Sequence, residues 1–263
     1  MKKLIITIFS LFLLLTSCSV YEDLYFLENG QVKYNMTIDA AELLAIAGTS
    51  SLKNSNNKYP KDSIMNFSEI IRETVDSIPS GMEQDIKNTE PLYMRVQNDD
   101  SLGIFKISIY GDFDNIDAFT NAFASMSKLE KEGKSKTNNS FSKFYVNDPF
   151  GRNSYSWDGT MFKRVVTAAP EKIEYEITDN NGINDEEEND NTGLSLKNSI
   201  DGSMDRLFSQ GNMVIKYHFP KKIKKVSNEN ATFSMDGKTA ILNYSAALFL
   251  NADERLSIEI ETE

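Results

Sequence analysis

A strict alternation of apolar and polar residues, returning over many short stretches, constrains this chain more than any other feature. Over residues 30–38, Val32, Tyr34, Met36 and Ile38 point one way while Gln31, Lys33, Asn35 and Thr37 point the other. A period of two belongs to a strand with one buried face, because successive side chains leave opposite sides of the pleat. The pattern recurs at Phe105, Ile107 and Ile109, at Ile173, Tyr175 and Ile177, at Met213, Ile215, Tyr217 and Phe219, and at Leu256, Ile258 and Ile260. Residues 92–97, 140–146, 154–157 and 160–167 also read as strands. Asp158-Gly159 and Asp236-Gly237 each separate two such runs and signal type I′ hairpins, whose central residues need positive φ. Pro220 ends the strand at 211–219 or places it near an edge.

Three stretches carry helical spacing instead. Asp39 can cap a short helix over 40–47 that Gly48 ends. Ile64, Phe67, Ile71, Val75 and Ile78 fall three and four apart, which predicts an amphipathic helix over 62–78. Asp114 caps a third, whose buried stripe is Ile116, Phe119, Phe123, Met126 and Leu129. A short helix is also expected at 203–208. The chain therefore reads as α+β: mainly an antiparallel β-sheet of about eight to ten strands with two or three helices packed on one face. One continuous sheet and two subdomains both fit the pattern. Residues 30–263 form a single domain on this reading, with an acidic flexible insert at 179–199.

The first eighteen residues follow another logic. Lys2 and Lys3 precede an apolar run from Leu4 to Leu15, broken only by Thr7 and Ser10. That length suits a secretory signal and is short of the roughly 20 apolar residues that cross a bilayer. Leu15-Thr16-Ser17-Cys18 resembles the lipobox of bacterial lipoproteins. The resemblance implies a signal peptide at 1–17, cleavage before Cys18, and acylation of that cysteine. An ordinary secreted protein cut after Ser19 would leave the lone cysteine unexplained. Several acyl chains together anchor stably where one holds only marginally. Residues 18–29 are expected to be a solvated tether. Ser19, Glu22 and Asp23, just after the cysteine, resemble envelope sorting signals and hint at the outer membrane.

Cys18 is the only cysteine, so its acylation would leave the mature domain without disulfides or thiolate chemistry. Apolar residues make up 40% and aromatic residues 11%, enough to build a core. Without Lys2 and Lys3 the formal charge moves from −11 to about −13. A surface so acidic repels nucleic acid and anionic headgroups, so no nucleic-acid partner is expected.

The chemical inventory is thin. His218 is the only histidine, and it lies on the strand face opposite Met213, Ile215 and Phe219. A catalytic role would need a hydroxyl or carboxylate beside it; a surface or edge histidine is the simpler expectation. Asp99, Asp100, Asp112 and Asp114 offer paired carboxylates, but turns and helix caps account for them. Asp179, Asp185, Glu186, Glu187, Glu188 and Asp190 supply oxygen ligands suited to calcium in an order unlike an EF-hand loop. Tyr155, Trp157, Phe162, Phe141 and Tyr145 gather around the first hairpin, where core packing is expected over stacking on a ligand. No catalytic residue, metal site or cofactor is expected.

The Phe219-Pro220 strand end, the Asp236-Gly237-Lys238-Thr239 turn and the last alternating strand resemble the LppM-like domain of envelope lipoproteins, over about the last fifty residues. That resemblance implies a membrane-tethered β-rich domain and assigns no residue a role. The expected function is a lipid-anchored, non-catalytic binding or scaffold domain with a protein or envelope component as partner. A carrier of lipid or another apolar ligand is the alternative, and a carboxylate-based hydrolase a weaker one. Substituting Cys18→Ala should leave the precursor uncut and free of radiolabelled palmitate, with the folded domain intact. Palmitate entering that variant would overturn the anchor.

Overall fold

The computed structural model describes residues 19–39, 41, 62–74, 80–99, 101–132, 151–168 and 211–263. The signal segment, Cys18, the strands expected at 140–146 and 172–178, the acidic insert and the helix at 203–208 lie outside the described residues. So does most of the helix expected at 40–47, of which Ala41 alone is described, its amide donating to Asp39 Oδ1 at 3.3 Å.

The α+β expectation holds, with predominantly antiparallel pairing. The twelve strands among the described residues divide into two sheets. In chain order they are β1 (Ser19–Phe26), β2 (Val32–Asp39), β3 (Asp62–Asn66), β4 (Leu92–Asp99), β5 (Ile104–Phe113), β6 (Asn153–Trp157), β7 (Met161–Val166), β8 (Asn212–His218), β9 (Ile223–Val226), β10 (Thr232–Phe233), β11 (Thr239–Ser245) and β12 (Ile258–Thr262). The helices are α1 (Phe67–Thr74), α2 (Glu83–Thr89), α3 (Ile116–Glu132) and α4 (Ala246–Leu250), followed by a 3₁₀ turn at Glu254–Leu256. The larger sheet runs β10-β11-β8-β1-β2-β5-β4-β3, and the smaller runs β6-β7-β12-β9. No helix among the described residues is long and apolar enough to cross a membrane.

The expected tether at 18–29 is corrected. Its residues form β1, which lies inside the large sheet between β2, antiparallel, and β8, parallel. Val20, Glu22, Leu24 and Phe26 all point inward and are buried. The alternation was present, but the inward glutamate broke its apolar face and gave it the look of a solvated stretch.

Two further corrections are local. Residues 62–66 form strand β3, and only then does α1 begin, because Ile64 and Phe67 fit a strand-to-helix corner as well as a helical stripe. The α3 cap is Asn115, not Asp114: its Oδ1 accepts from the Ala118 amide at 2.8 Å. Both Asp-Gly turns form hairpins, but only their glycines have positive φ, +96° at Gly159 and +69° at Gly237. The aspartates act through their side chains: Asp158 Oδ1 accepts from the Thr160 and Met161 amides at 2.8 and 2.7 Å.

One inner face of the large sheet meets two different covers. Over β2 and β5 lies α3, with the Tyr34 ring tilted against Phe119 at 5.2 Å and edge-on to Phe123 at 5.0 Å. Behind α3 packs α2, through Met82, Ile86 and Leu129. Over β1 and β8 lies the small sheet, where Phe26 contacts Trp157, Phe162 and Phe219, each at 5.0 Å. Phe162 is fully buried, and Tyr155 and Trp157 pack against the same core, as expected for the hairpin aromatics; Phe141 and Tyr145 lie outside the described residues.

Gly111 marks the closest approach of chain to chain. A Cβ there would collide with the Pro91 carbonyl oxygen and press on the Phe113 ring at 3.0 Å. The carbonyl belongs to backbone and cannot swing aside, so Gly111→Ala should destabilise the domain by about 1–3 kcal/mol. Urea unfolding followed by tryptophan fluorescence measures this, and an unchanged midpoint would refute the crowding.

Candidate functional site

The large sheet has two faces with different chemistry, and β1 contributes a carboxylate to each. On the inner face, Glu22 reaches across the interface to Arg164 of β7. Arg164 Nη1 donates to Glu22 Oε2 at 3.0 Å and lies 3.0 Å from the Tyr217 hydroxyl. Arg164 Nε donates to Asn153 Oδ1 at 2.8 Å. Both charged side chains are essentially inaccessible, at 0% and 1% exposure. Among the described residues Arg164 Nη2 has no hydrogen-bond partner, and the guanidinium carbon lies 5.6 Å from the Tyr155 ring centre, where a cation–π attraction offsets part of that loss. Burial alone would lower the Arg164 pKa, but the Glu22 charge and the neighbouring tyrosines hold it well above the usual arginine value. Burial likewise pushes Tyr34, Tyr155 and Tyr217 far above the usual phenol value. These groups are enclosed between the sheets, and the cluster joins one sheet to the other.

The outer face carries the histidine. His218 Nε2 lies 2.8 Å from Asp23 Oδ1, and Nδ1 lies 3.1 Å from Thr239 Oγ1. Its ring stacks on Tyr25, with centroids 4.0 Å apart and planes 5° from parallel. The histidine lies on a surface face, as one of the two expectations had it, but not at an edge: β8 is the third strand from the sheet edge, and the ring has both a carboxylate and a hydroxyl beside it. A carboxylate on one ring nitrogen and a hydroxyl on the other are the partners found in a nucleophilic triad. The backbone amides nearest Thr239 in sequence are occupied: Thr239 N donates to Ser234 Oγ and Lys238 N to Asp236 Oδ1, each at 3.0 Å, so neither is free to stabilise an oxyanion.

Around this group the outer face forms a grid set by strand register. Thr239, His218, Tyr25, Lys33 and Asp112 make one row, and Ile241, Lys216, Asp23, Asn35, Tyr110 and Tyr93 the next. Asn243, Val214, Tyr21, Thr37, Ser108, Arg95 and Ile64 make a third. Tyr21, Tyr25 and Tyr93 remain 38–39% exposed and Ile64 59%. Tyr93 and Tyr110 stack at 5.8 Å. Lys33–Asp112 and Arg95–Asp62 ion pairs cross the face.

A second concavity of about 610 Å³ opens at the end of the sandwich between the β1–β2, β6–β7 and β8–β9 turns. Leu27, Ile116 and Trp157 supply apolar surface, and Glu28 and Lys221 supply opposite charges. Asp158, also on its wall, has its pKa lowered by the two turn amides it accepts from, so it serves the hairpin rather than a ligand.

The carboxylates singled out by sequence take structural roles. Asp99 caps the β4–β5 turn through the Ser101 amide at 3.0 Å, and Asp112 pairs with Lys33 at 3.1 Å. Asp114 is exposed before α3, while Asp100 and the acidic insert residues lie outside the described set. Among the described residues, no three His, Cys, Asp or Glu side chains are placed to hold a metal ion. Sequence reasoning missed Glu22 and Arg164 as partners. The signal was available: each stands at an inward position of an alternating run, Val20-x-Glu22-x-Leu24 and Phe162-x-Arg164-x-Val166.

No family model matches the chain, and no curated protein matches it. Among solved structures it is similar to the folded domain of LppM from Mycobacterium tuberculosis, determined by NMR, at 8% identity and a TM-score of 0.36 over 94% of this chain and 89% of that one. The likeness is a distant one of fold and bears on neither ligand nor activity.

Removing one partner of the buried pair strands the other charge. Arg164→Met should therefore cost about 3–5 kcal/mol, and Glu22→Leu combined with it should recover much of that loss. Urea unfolding of the three variants checks this; additive losses would show that the two side chains do not act together. Ionisation of the buried tyrosines runs the other way in pH. Their folded-state pKa values are raised, so the unfolded state loses protons first, and stability present below pH 10 falls as pH rises beyond it. With three such groups the fall should approach about 4 kcal/mol per pH unit. Thermal melts between pH 9 and 11, with phenolate absorbance appearing only on unfolding, measure it.

Proposed function

We propose that this chain is a lipid-anchored, non-catalytic domain of the bacterial cell envelope that binds a protein or another envelope component through the outer face of its large sheet. The observation that carries the reading is the set of exposed tyrosines, Tyr21, Tyr25 and Tyr93, on one continuously paired sheet face. Tyrosines held on strands lose little conformational freedom on binding and offer both a ring and a hydroxyl, which is why interfaces are enriched in them. The ion pairs between them supply polarity without a large single-sign field.

The anchor is the lipobox cysteine, Cys18, and the partner at that end is the membrane. Ser19, Glu22 and Asp23 hinted at outer-membrane sorting, but Glu22 is buried against Arg164 and Asp23 is held by His218. Neither is displayed as an exposed sorting residue would be, so the reading keeps the envelope and drops that argument for a particular membrane. Nucleic acid is left out on charge. An apolar cargo would need room between the sheets, where Phe26, Trp157, Phe162 and Phe219 instead touch one another.

A photoreactive residue at Tyr21 or Tyr25 should crosslink a discrete partner in intact cells, while one at Lys224 on the small sheet should not. Tyr21→Ala with Tyr25→Ala should remove the crosslink from a probe at Tyr93 without lowering the melting temperature. Equal crosslinking from both sheets would refute the assignment of the face. Ester and glycoside panels should show no turnover with the purified domain. Turnover that disappears in both Asp23→Asn and His218→Gln would make the chain an enzyme.

A further inference from the structure

We infer that the anchored domain stands directly on the bilayer on the Ser19 end of its large sheet, with the β4–β5 hairpin tip in the headgroup layer. The inference rests on the reading of Cys18 as the acylated residue. Lipoproteins reach away from the membrane through whatever chain separates the acylated residue from the first fixed element. Here that chain has no length: Cys18 is bonded to Ser19, the first residue of β1, and consecutive Cα atoms are about 3.8 Å apart.

Ser19 is also not at a loose edge. Its row across the sheet runs Ser245, Asn212, Ser19, Asp39, Lys106 and Gln97. A lipid fixed next to Ser19 therefore fixes the whole end of the sheet. Beyond that row β4 continues to Asp99, β5 starts at Ile104, and the turn between them projects farther by at least two residues, about 7 Å. At its tip Leu102 is 70% exposed. An exposed leucine on the side of the sheet that the acyl chains must occupy has the bilayer interface as its apolar surroundings.

Charge does not set this orientation. The chain is acidic overall, and Asp39 at this end pairs with Lys106 at 3.3 Å. The covalent attachment sets it, and the geometry follows for the rest of the molecule. An eight-residue strand spans about 26 Å, so the β1–β2 turn and the cleft beside Trp157 and Lys221 face away from the membrane. The tyrosine face stands roughly upright between the two ends and stays open from the side.

The test uses the full chain with its lipid, reconstituted into phosphatidylcholine vesicles containing a headgroup nitroxide lipid. Single cysteines at Leu102→Cys, Glu28→Cys and Met235→Cys carry a thiol-reactive fluorophore; Gln97→Cys serves if the turn variant folds poorly. Met235 is fully exposed on the β10–β11 turn at the far end, so it reports whether apolar exposure alone draws a residue to the lipid. Quenching should be several-fold stronger at Leu102 than at Glu28 or Met235. Ten Gly and Ser residues inserted between Cys18 and Ser19, with a reach of about 17 Å, should abolish the difference. Vesicle-bound protein with equal quenching at both ends would overturn the orientation and leave the anchor standing. Fluorophore uptake by the chain without an added cysteine would report a free Cys18, and the anchor and the orientation would fall together.

Discussion

Glu22 and Arg164 meet between the two sheets, and the seating of one sheet on the other depends on that meeting. Each ion loses its hydration, at a cost of several kcal/mol, and recovers it only with the partner in place. A slip of β7 by one residue would bring Lys163 or Val165 inward and turn Arg164 to solvent, since the side-chain period is two. The aromatic contacts of Phe26 and Phe162 are non-directional and would tolerate small slides; the ion pair with its Asn153 and Tyr217 ligands does not. Apolar packing supplies the non-directional part of the contact between the sheets, and the buried pair supplies a directional one.

That directional contact runs through β1. The strand is the first described element of the chain, yet it pairs with β2 beside it in sequence and with β8, whose partner residues lie more than 190 positions later. Its parallel pairing with β8 is the exception in an otherwise antiparallel large sheet, and it closes the fold around the N-terminus. The sheet splits without it into a β2-β5-β4-β3 half under α3 and a β10-β11-β8 half under the small sheet. A strand in this position cannot double as a spacer, because its pairing on both sides is part of the core.

Much of this architecture was legible in the alternating runs. β2, β4, β5, β8 and β12 appear where the pattern places them, and the α3 stripe of Phe119, Phe123, Met126 and Leu129 is buried as its spacing demands. What escaped were the places where one signal has two physical readings. Glu22 and Asp23 are charged, and charge near a chain terminus resembles solvation until each finds a partner far along the chain. Ile64, Phe67 and Ile71 are spaced for a helix, yet Ile64 lies on the outer face of β3 before α1 begins. The division into two sheets was not legible at all, because it depends on which strands hydrogen-bond and not on which residues are apolar. The His218 environment was hidden for the same reason: Asp23 lies 195 residues away and reaches it only through the β1–β8 register.

Adjacent positions in β1 thus do opposite work. Glu22 faces in and locks the sheets; Asp23 faces out and fixes His218, which in turn lies flat on Tyr25. A His–carboxylate–hydroxyl chain is commonly read as catalytic, but its surroundings decide. On a strand interior the amides belong to the ladder, and those beside Thr239 are taken by Ser234 and Asp236. The same hydrogen bonds that hold the ring in place orient it against a tyrosine. The consequence is a stiff aromatic platform: Tyr25 is pinned by stacking, and its pKa is raised by burial and by the Asp23 charge, which keeps the phenol neutral and its hydroxyl able to donate. Side chains held in this way have little conformational entropy left to lose on contact with another molecule.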